Sequence, residues 1–114
     1  MNTTSDCLFC RIVAGDVGTL IHEDDLVAAF EDVNPQAPSH LLIVPRQHLS
    51  SAASLLPEHE TVAGRLLVTA ARLAREKGLS SYRLVMNSGA EAGQSVFHIH
   101  LHVMGGRSFG WPPG

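Results

Sequence analysis

Between His98 and Met104 the chain reads His-Ile-His-Leu-His-Val-Met, with imidazole and aliphatic side chains in strict alternation. A strand points successive side chains to opposite faces, so this run is read as a strand. His98, His100 and His102 then share one face, while Ile99, Leu101 and Val103 share the other and belong in a core. Three of the chain's seven histidines are in this one segment. Imidazole is the side chain best suited to proton transfer, nucleophilic attack and metal binding near neutral pH. Same-face neighbours on a strand are ~6.6 Å apart, so the outer pair spans ~13 Å. With Zn–N bonds of ~2.0–2.1 Å, the three rings cannot all hold one ion. At least one imidazole is left for other chemistry.

A polar connection, Asn87-Ser-Gly-Ala-Glu-Ala-Gly93-Gln94-Ser95, runs straight into this strand. Gly89 and Gly93 permit turns and close backbone approach. Gln94, Ser95 and the loop N–H groups are suited to an anion. Placed just before aligned histidines, the loop suggests a phosphate seat, although Ser95 also reads as an ordinary turn serine.

Gly93-Gln-Ser-Val-Phe-His-Ile-His-Leu-His-Val-Met104 resembles the signature of the histidine-triad (HIT) superfamily of nucleotide hydrolases and transferases. Phe30-Glu-Asp-Val-Asn-Pro-Gln-Ala-Pro-Ser-His40 and the ending Gly105-Gly-Arg-Ser-Phe-Gly-Trp-Pro-Pro-Gly114 resemble its Hint branch, the purine nucleoside phosphoramidases. The resemblance runs from Cys7 to Gly114.

Length and composition agree with one small enzyme-like domain. The chain has 114 residues, and 45% of them are hydrophobic, enough for a core that 5% aromatics make mainly aliphatic. A net charge of -3 without a Lys/Arg run disfavours nucleic-acid binding. No apolar run approaches the ~18 residues of a membrane span, and the N-terminus lacks a signal-peptide pattern. A cytoplasmic protein is expected.

The expected layout is a single domain over 1–114, with a loose arm at 1–6 and a tail at 105–114. A short helix over Cys7–Val13 is capped by Ser5 or Asp6 and stopped by Gly15. Leu20–His22 and Leu26–Phe30 read as strands around the acidic turn Glu23-Asp24-Asp25. Leu41–Pro45 reads as a central strand. The long helix starts near Pro57, carries Val62, Leu66, Leu67, Ala70, Leu73 and Ala74 as its apolar stripe, and ends at Gly78. Tyr82–Met86 is the next strand. These elements make an α+β fold, an antiparallel sheet of about five strands with one main helix on one face. His22 and His59 are read as surface residues.

His100, the middle histidine, is the expected nucleophile. Attack requires a neutral ring whose other nitrogen is held as a donor, and a backbone carbonyl suits that task. The resemblance implies the same role, with a nucleotidyl group carried transiently on His100. It also implies that His102 donates to phosphate oxygens, that His98 and Ser95 belong to the catalytic group, and that His40 supports the triad. Asp32 ends an apolar strand, where a carboxylate suits the hydroxyls of a ribose, though Asp32-Val-Asn-Pro also satisfies an Asx turn. By resemblance Asp32 binds the ribose, Leu8, Phe9, Phe30 and Val33 form the base slot, and Asn87, Gly93 and Gln94 touch the phosphate or ribose.

Cys7-Leu-Phe-Cys10 is either redox-active, metal-binding or a reduced buried pair. Two cysteines exclude a Cys₄ site within one chain but allow Cys₂His₂. A subset of bacterial histidine-triad proteins has this pair, and the resemblance implies a structural zinc on Cys7, Cys10, His48 and His98, with no catalytic metal. It further implies hydrolysis of the P–N bond of adenosine or guanosine phosphoramidates. Dinucleoside polyphosphate hydrolysis, and a nucleotide-binding or interaction module with negligible turnover, are the alternatives. Finally, it implies a two-fold homodimer in which Trp111 reaches the partner's site. Apolar Leu84–Met86 and the helix stripe are compatible with that interface.

Overall fold

The structure is a computed structural model and describes residues 6–114. The elements run α1 (Leu8–Val13), β1 (His22–Glu23), β2 (Val27–Glu31), β3 (Ser39–Pro45), α2 (Glu60–Glu76), β4 (Tyr82–Val85) and β5 (Leu101–Gly105). The five strands form one sheet in the order β1-β2-β3-β5-β4, and every pair is antiparallel. The α+β architecture with a central Leu41–Pro45 strand is as expected. Of the arm expected at 1–6, residues 1–5 lie outside the described residues.

The alternation of β3 explains the layers. Leu41 and Ile43 point to the face covered by α2 and pack with Val62, Leu66, Ala70 and Leu73. Leu42 and Val44 point to the other face and pack with Phe9, Ile12 and Val13 of α1. Leu41–Pro45 of β3 is therefore apolar without interruption, because both of its faces are covered. His40 shares the α1 face with Leu42, and this places it beside His102.

Several boundaries move for local reasons. Pro57–His59 is a 3₁₀ turn, and the α-helix proper starts at Glu60. His59 is not a surface residue: it is buried, and its Nδ1 accepts the Leu56 N–H at 3.0 Å, bracing that turn. His22 is half-buried, with Nε2 2.8 Å from Asp24 and Nδ1 2.9 Å from the Arg72 guanidinium. The cap of α1 is Cys7 rather than Asp6, because its Sγ accepts the Cys10 N–H; Ser5, the other expected cap, lies outside the described residues. Leu20–His22 shrinks to the two-residue β1, since Asp24 folds its carboxylate back onto the N–H groups of Leu26 and Val27 at 2.8 and 2.9 Å. Gly78, at φ +75°, terminates α2 as expected, with the Leu79 N–H returning to the Ala74 carbonyl at 2.9 Å.

The histidine run is the main difference. Only Leu101–Gly105 is paired as a strand; His98 lies in a bend, and Ile99 and His100 follow it without a ladder partner. Pairing with β3 stops at Ile43–Leu101. Farther along, Pro45 has no N–H to offer, and its carbonyl is taken by His98 Nε2 at 2.8 Å. The Ile99 N–H pairs with the Leu49 carbonyl at 2.7 Å instead. The alternation survives: Ile99, Leu101 and Val103 all lie in the α2-side core.

Candidate active site and metal cluster

Four histidines acquire fixed roles from the groups they touch. A carbonyl can only accept and a backbone N–H can only donate, so each such partner dictates which ring nitrogen bears the proton. His100 Nδ1 is 2.8 Å from the His98 carbonyl, so Nδ1 carries the hydrogen and Nε2 keeps its lone pair. His98 Nε2 donates to the Pro45 carbonyl, so its Nδ1 is the bare nitrogen. The Gln36 N–H donates to His40 Nδ1 at 2.9 Å, so neutral His40 is protonated on Nε2. That hydrogen faces His102 Nδ1 at 2.9 Å, with Asp32 Oδ2 3.4 Å away. His102 is thereby left with its proton on Nε2, as a donor.

The electrostatics support neutral rings. Burial lowers the His40 pKa, against the pull of Asp32. Burial first, then the neighbouring His100 and His40, push His102 down to about 4, with Asp32 opposing. Burial likewise pushes His98 down to about 4, although the Pro45 carbonyl opposes it.

A cavity of about 410 Å³ opens against this row and is lined by Leu8, Phe9, Phe30, Asp32, Val33, Ser95, His100 and His102 among others. These eight were expected from the sequence. Phe9 stands edge-on to His100 and Phe30, at centroid distances of 5.0 and 5.3 Å. Ile12, Val17, Thr19, Leu42 and Val96 also line the cavity and were not foreseen. Ile12 was findable, because it lies one helical turn beyond Leu8 and Phe9.

Of the other expected residues, Asn87, Gly93, Gln94 and Trp111 stand apart from the cavity wall. Gln94 is buried, and its amide is committed to the loop: Oε1 accepts the Gly89 N–H at 2.9 Å, while Nε2 donates to the Ser50 and Val96 carbonyls. Gly93 has φ +100°, and a Cβ there would lie 3.7 Å from Asn87 Nδ2, so these two residues are neighbours behind the loop. Asp32 does make the Asx turn, with Oδ1 accepting the Asn34 N–H at 2.8 Å, while Oδ2 faces His40. Trp111 is 86% exposed and touches no part of this cavity.

His98 faces the two cysteines. Its bare Nδ1 lies 3.4 Å from Cys7 Sγ and 3.5 Å from Cys10 Sγ, and Cys10 Sγ is 3.2 Å from His48 Nδ1. The ligand atoms of Cys7, Cys10, His48 and His98 all lie within 4.8 Å of one another. Two thiols and two imidazoles with converging donors match a closed tetrahedral zinc site, and the His98–Pro45 hydrogen bond fixes the ring that would hold the ion. Asp32, His40 and His102 converge similarly. That group is unsuited to a cation, because His40 Nε2, its inward nitrogen, carries the proton.

Known proteins resemble this chain in sequence and fold. Residues 17–109 match the HIT domain family. The purine nucleoside phosphoramidase of Escherichia coli K12 is 39% identical over 108 residues, covering 92% of this chain and 91% of that protein. A HIT family hydrolase of Legionella pneumophila superposes with a TM-score of 0.93 at 44% identity, covering 96% of this chain and all of that one. A zinc-bound histidine-triad protein of Mycobacterium smegmatis superposes with a TM-score of 0.79 at 35% identity, covering 96% of this chain and 80% of that one. A family match over most of the chain places this protein in the HIT domain family.

Proposed function

We propose that the protein is a purine nucleoside phosphoramidase, hydrolysing the P–N bond of adenosine or guanosine 5′-phosphoramidates. The observation that carries this reading is the bare His100 Nε2 at a nucleotide-sized cavity, its ring fixed through Nδ1–H by the His98 carbonyl. The identity to the Escherichia coli phosphoramidase supports the choice of P–N substrates.

In this mechanism the base lies among Leu8, Phe9, Phe30 and Val33, and the ribose hydroxyls bond to Asp32. Asn87, Gly93 and Gln94 build the loop on the phosphate side. His100 Nε2 attacks phosphorus, the N–P bond forms, and the substrate P–N bond breaks. The amine takes up one proton as it departs, relayed past Ser95. His100 becomes a phosphoryl imidazolium, and its Nδ1–H to the His98 carbonyl stabilises that charge. His102 Nε2–H, aligned by His40, donates to the phosphoryl oxygens where negative charge gathers. Water then attacks phosphorus, breaks the His100–P bond and returns one proton, so the cycle consumes only water.

Zinc on Cys7, Cys10, His48 and His98 ties α1 to the segment before β5 and is structural in this reading. With all four positions taken by protein, it has no open place for substrate. We also infer the two-fold homodimer. β4 lies at the edge of the sheet with Tyr82 and Leu84 exposed on it, α2 exposes Leu67 and Val68, and Trp111 is free to reach a partner's site.

The test is AMP release from adenosine 5′-phosphoramidate by the purified protein and by His100→Ala, without added metal. Turnover by the wild type alone supports both the reaction and the nucleophile. No turnover, with AMP still bound, favours a nucleotide-binding module and turns attention to dinucleoside polyphosphates.

A further inference from the structure

Two histidine protons depend on one backbone N–H. The Gln36 N–H donates to His40 Nδ1, which puts the His40 proton on Nε2 and, through it, the His102 proton on Nε2 as well. Asp32 Oδ2, 3.4 Å from His40 Nε2, favours the same arrangement, but in the proposed reaction Asp32 serves the ribose. Gln36 itself is exposed, in the Asp32-Val-Asn-Pro-Gln-Ala-Pro38 loop that lies outside the sheet. Such a loop needs an external hold to keep one N–H aimed at a ring.

The chain that leaves β5 supplies that hold. Ser39 pairs with Gly105 and His40 with Met104, so the tail runs beside the loop that enters β3. Gly106, at φ +91°, lets the tail close onto the loop, since a Cβ there would lie 3.0 Å from Pro38 Cβ. One residue on, Arg107 Nε donates to the Gln36 carbonyl at 2.9 Å. The guanidinium is fixed in turn: Nη1 donates to the Ser108 carbonyl at 2.9 Å, and its carbon lies 4.1 Å from the Phe109 ring centroid. No ion pair among the described residues includes Arg107, so its link to the loop is a hydrogen bond and not a charge pair.

We propose that Arg107 is a positioning residue, whose Nε–H holds Gln36 in place and thereby keeps His102 a donor through His40. Its kinetic consequence rests on the phosphoramidase reading, whereas the ring protons can be read without substrate. Without the brace, the Gln36 N–H moves off His40 Nδ1. The pair of rings then swaps: His40 takes its proton on Nδ1 and accepts through Nε2, and His102 takes its proton on Nδ1. His102 Nε2 is left bare and has no hydrogen to give a phosphoryl oxygen.

Three substitutions separate the hydrogen bond from the charge. Glutamine carries its amide nitrogen on Cδ, where arginine carries Nε, so Arg107→Gln keeps the donor without the charge. Lysine has a carbon at that place, so Arg107→Lys keeps the charge without the donor, and Arg107→Ala loses both. Each protein is read by nitrogen NMR of its imidazole rings without ligand, and by kcat and KM on adenosine 5′-phosphoramidate. Wild type and Arg107→Gln should show Nε2–H at His40 and His102, whereas Arg107→Ala and Arg107→Lys should show an Nδ1–H population in both rings. In those two variants kcat should fall by about tenfold, less than full loss of a transition-state donor, with KM within about twofold of wild type. Wild-type ring protons in Arg107→Ala overturn the proposal, whatever its melting temperature, and so does Arg107→Gln behaving like Arg107→Ala. No turnover by the wild type overturns the phosphoramidase reading, and the NMR comparison then decides the brace by itself.

Discussion

Replacing Phe9 by alanine should destabilise the fold and disable the site together. Phe9 is 5% exposed, packs in the α1-side core, and stands edge-on to Phe30, His98 and His100 at 5.3, 6.0 and 5.0 Å. Truncation of a buried Phe costs about 3–5 kcal/mol. One side of this ring already faces a cavity, so the lower end, about 3 kcal/mol, is the expectation. At about 2.1 cal/mol/K per residue, a chain of 114 residues has an unfolding entropy near 0.24 kcal/mol/K. The melting temperature should therefore fall by about 12 °C in calorimetry. Phe9→Leu keeps most of the buried area and loses the aromatic contacts, worth about 0.5–1.5 kcal/mol each, so its fall should be nearer 4 °C. A double-mutant cycle with Phe30→Leu should return a coupling in that same range. A fall under about 4 °C for Phe9→Ala, or no coupling to Phe30, would refute a bridging role for this ring between the core and the histidine row.

Other outcomes follow from the same geometry. Elemental analysis should find about one zinc per chain, lost in Cys10→Ser. Zinc at 100 times its Kd stabilises by about 2.7 kcal/mol, so a chelator should lower the melting temperature by about 11 °C. His102, facing His100, His40 and Asp32, has its pKa lowered to about 4 in the fold. The unfolded chain, with an ordinary His pKa of about 6.5, then binds the proton first. Stability from this group is present above that value and is lost as pH falls from about 6.5 towards 4. His102→Gln should flatten the urea midpoint across that window. Asp24 is pushed up by burial, but the N–H groups of Leu26 and Val27, then His22 and Arg65, outweigh this and hold it well below the usual carboxylate range. Asp24→Ala should cost on the order of 1–2 kcal/mol in denaturant unfolding by orphaning two backbone donors.

How legible this protein was depended on the range of the interactions involved. Period-two and period-3.6 patterns are local, so the α+β layout, the α2 stripe and its Gly78 stop could be read from the chain itself. The alternation at His98–Met104 marked the side of the sheet for each imidazole, and it held even where the strand ladder did not form. His59 was misread because its polar sequence neighbours say nothing about the 3₁₀ turn that buries it. Strand ends were missed where a side chain captured backbone groups, as at Asp24 and at His98, whose ring takes the Pro45 carbonyl.

Residue types and spacing therefore determined which groups are available: three imidazoles on one face, two thiols one helical turn apart, a carboxylate at a strand end and a glycine loop before the histidines. The tertiary structure decided how the histidines divide. His98 turns its bare nitrogen to the thiols because the Pro45 carbonyl, 53 positions away in the chain, holds the other one. His100 keeps a free Nε2 because its own neighbour's carbonyl takes Nδ1–H, and His102 becomes a donor through His40 and the Gln36 amide. A ring nitrogen's proton follows its hydrogen-bond partner, and for His98 and His102 that partner is brought into reach only by the fold.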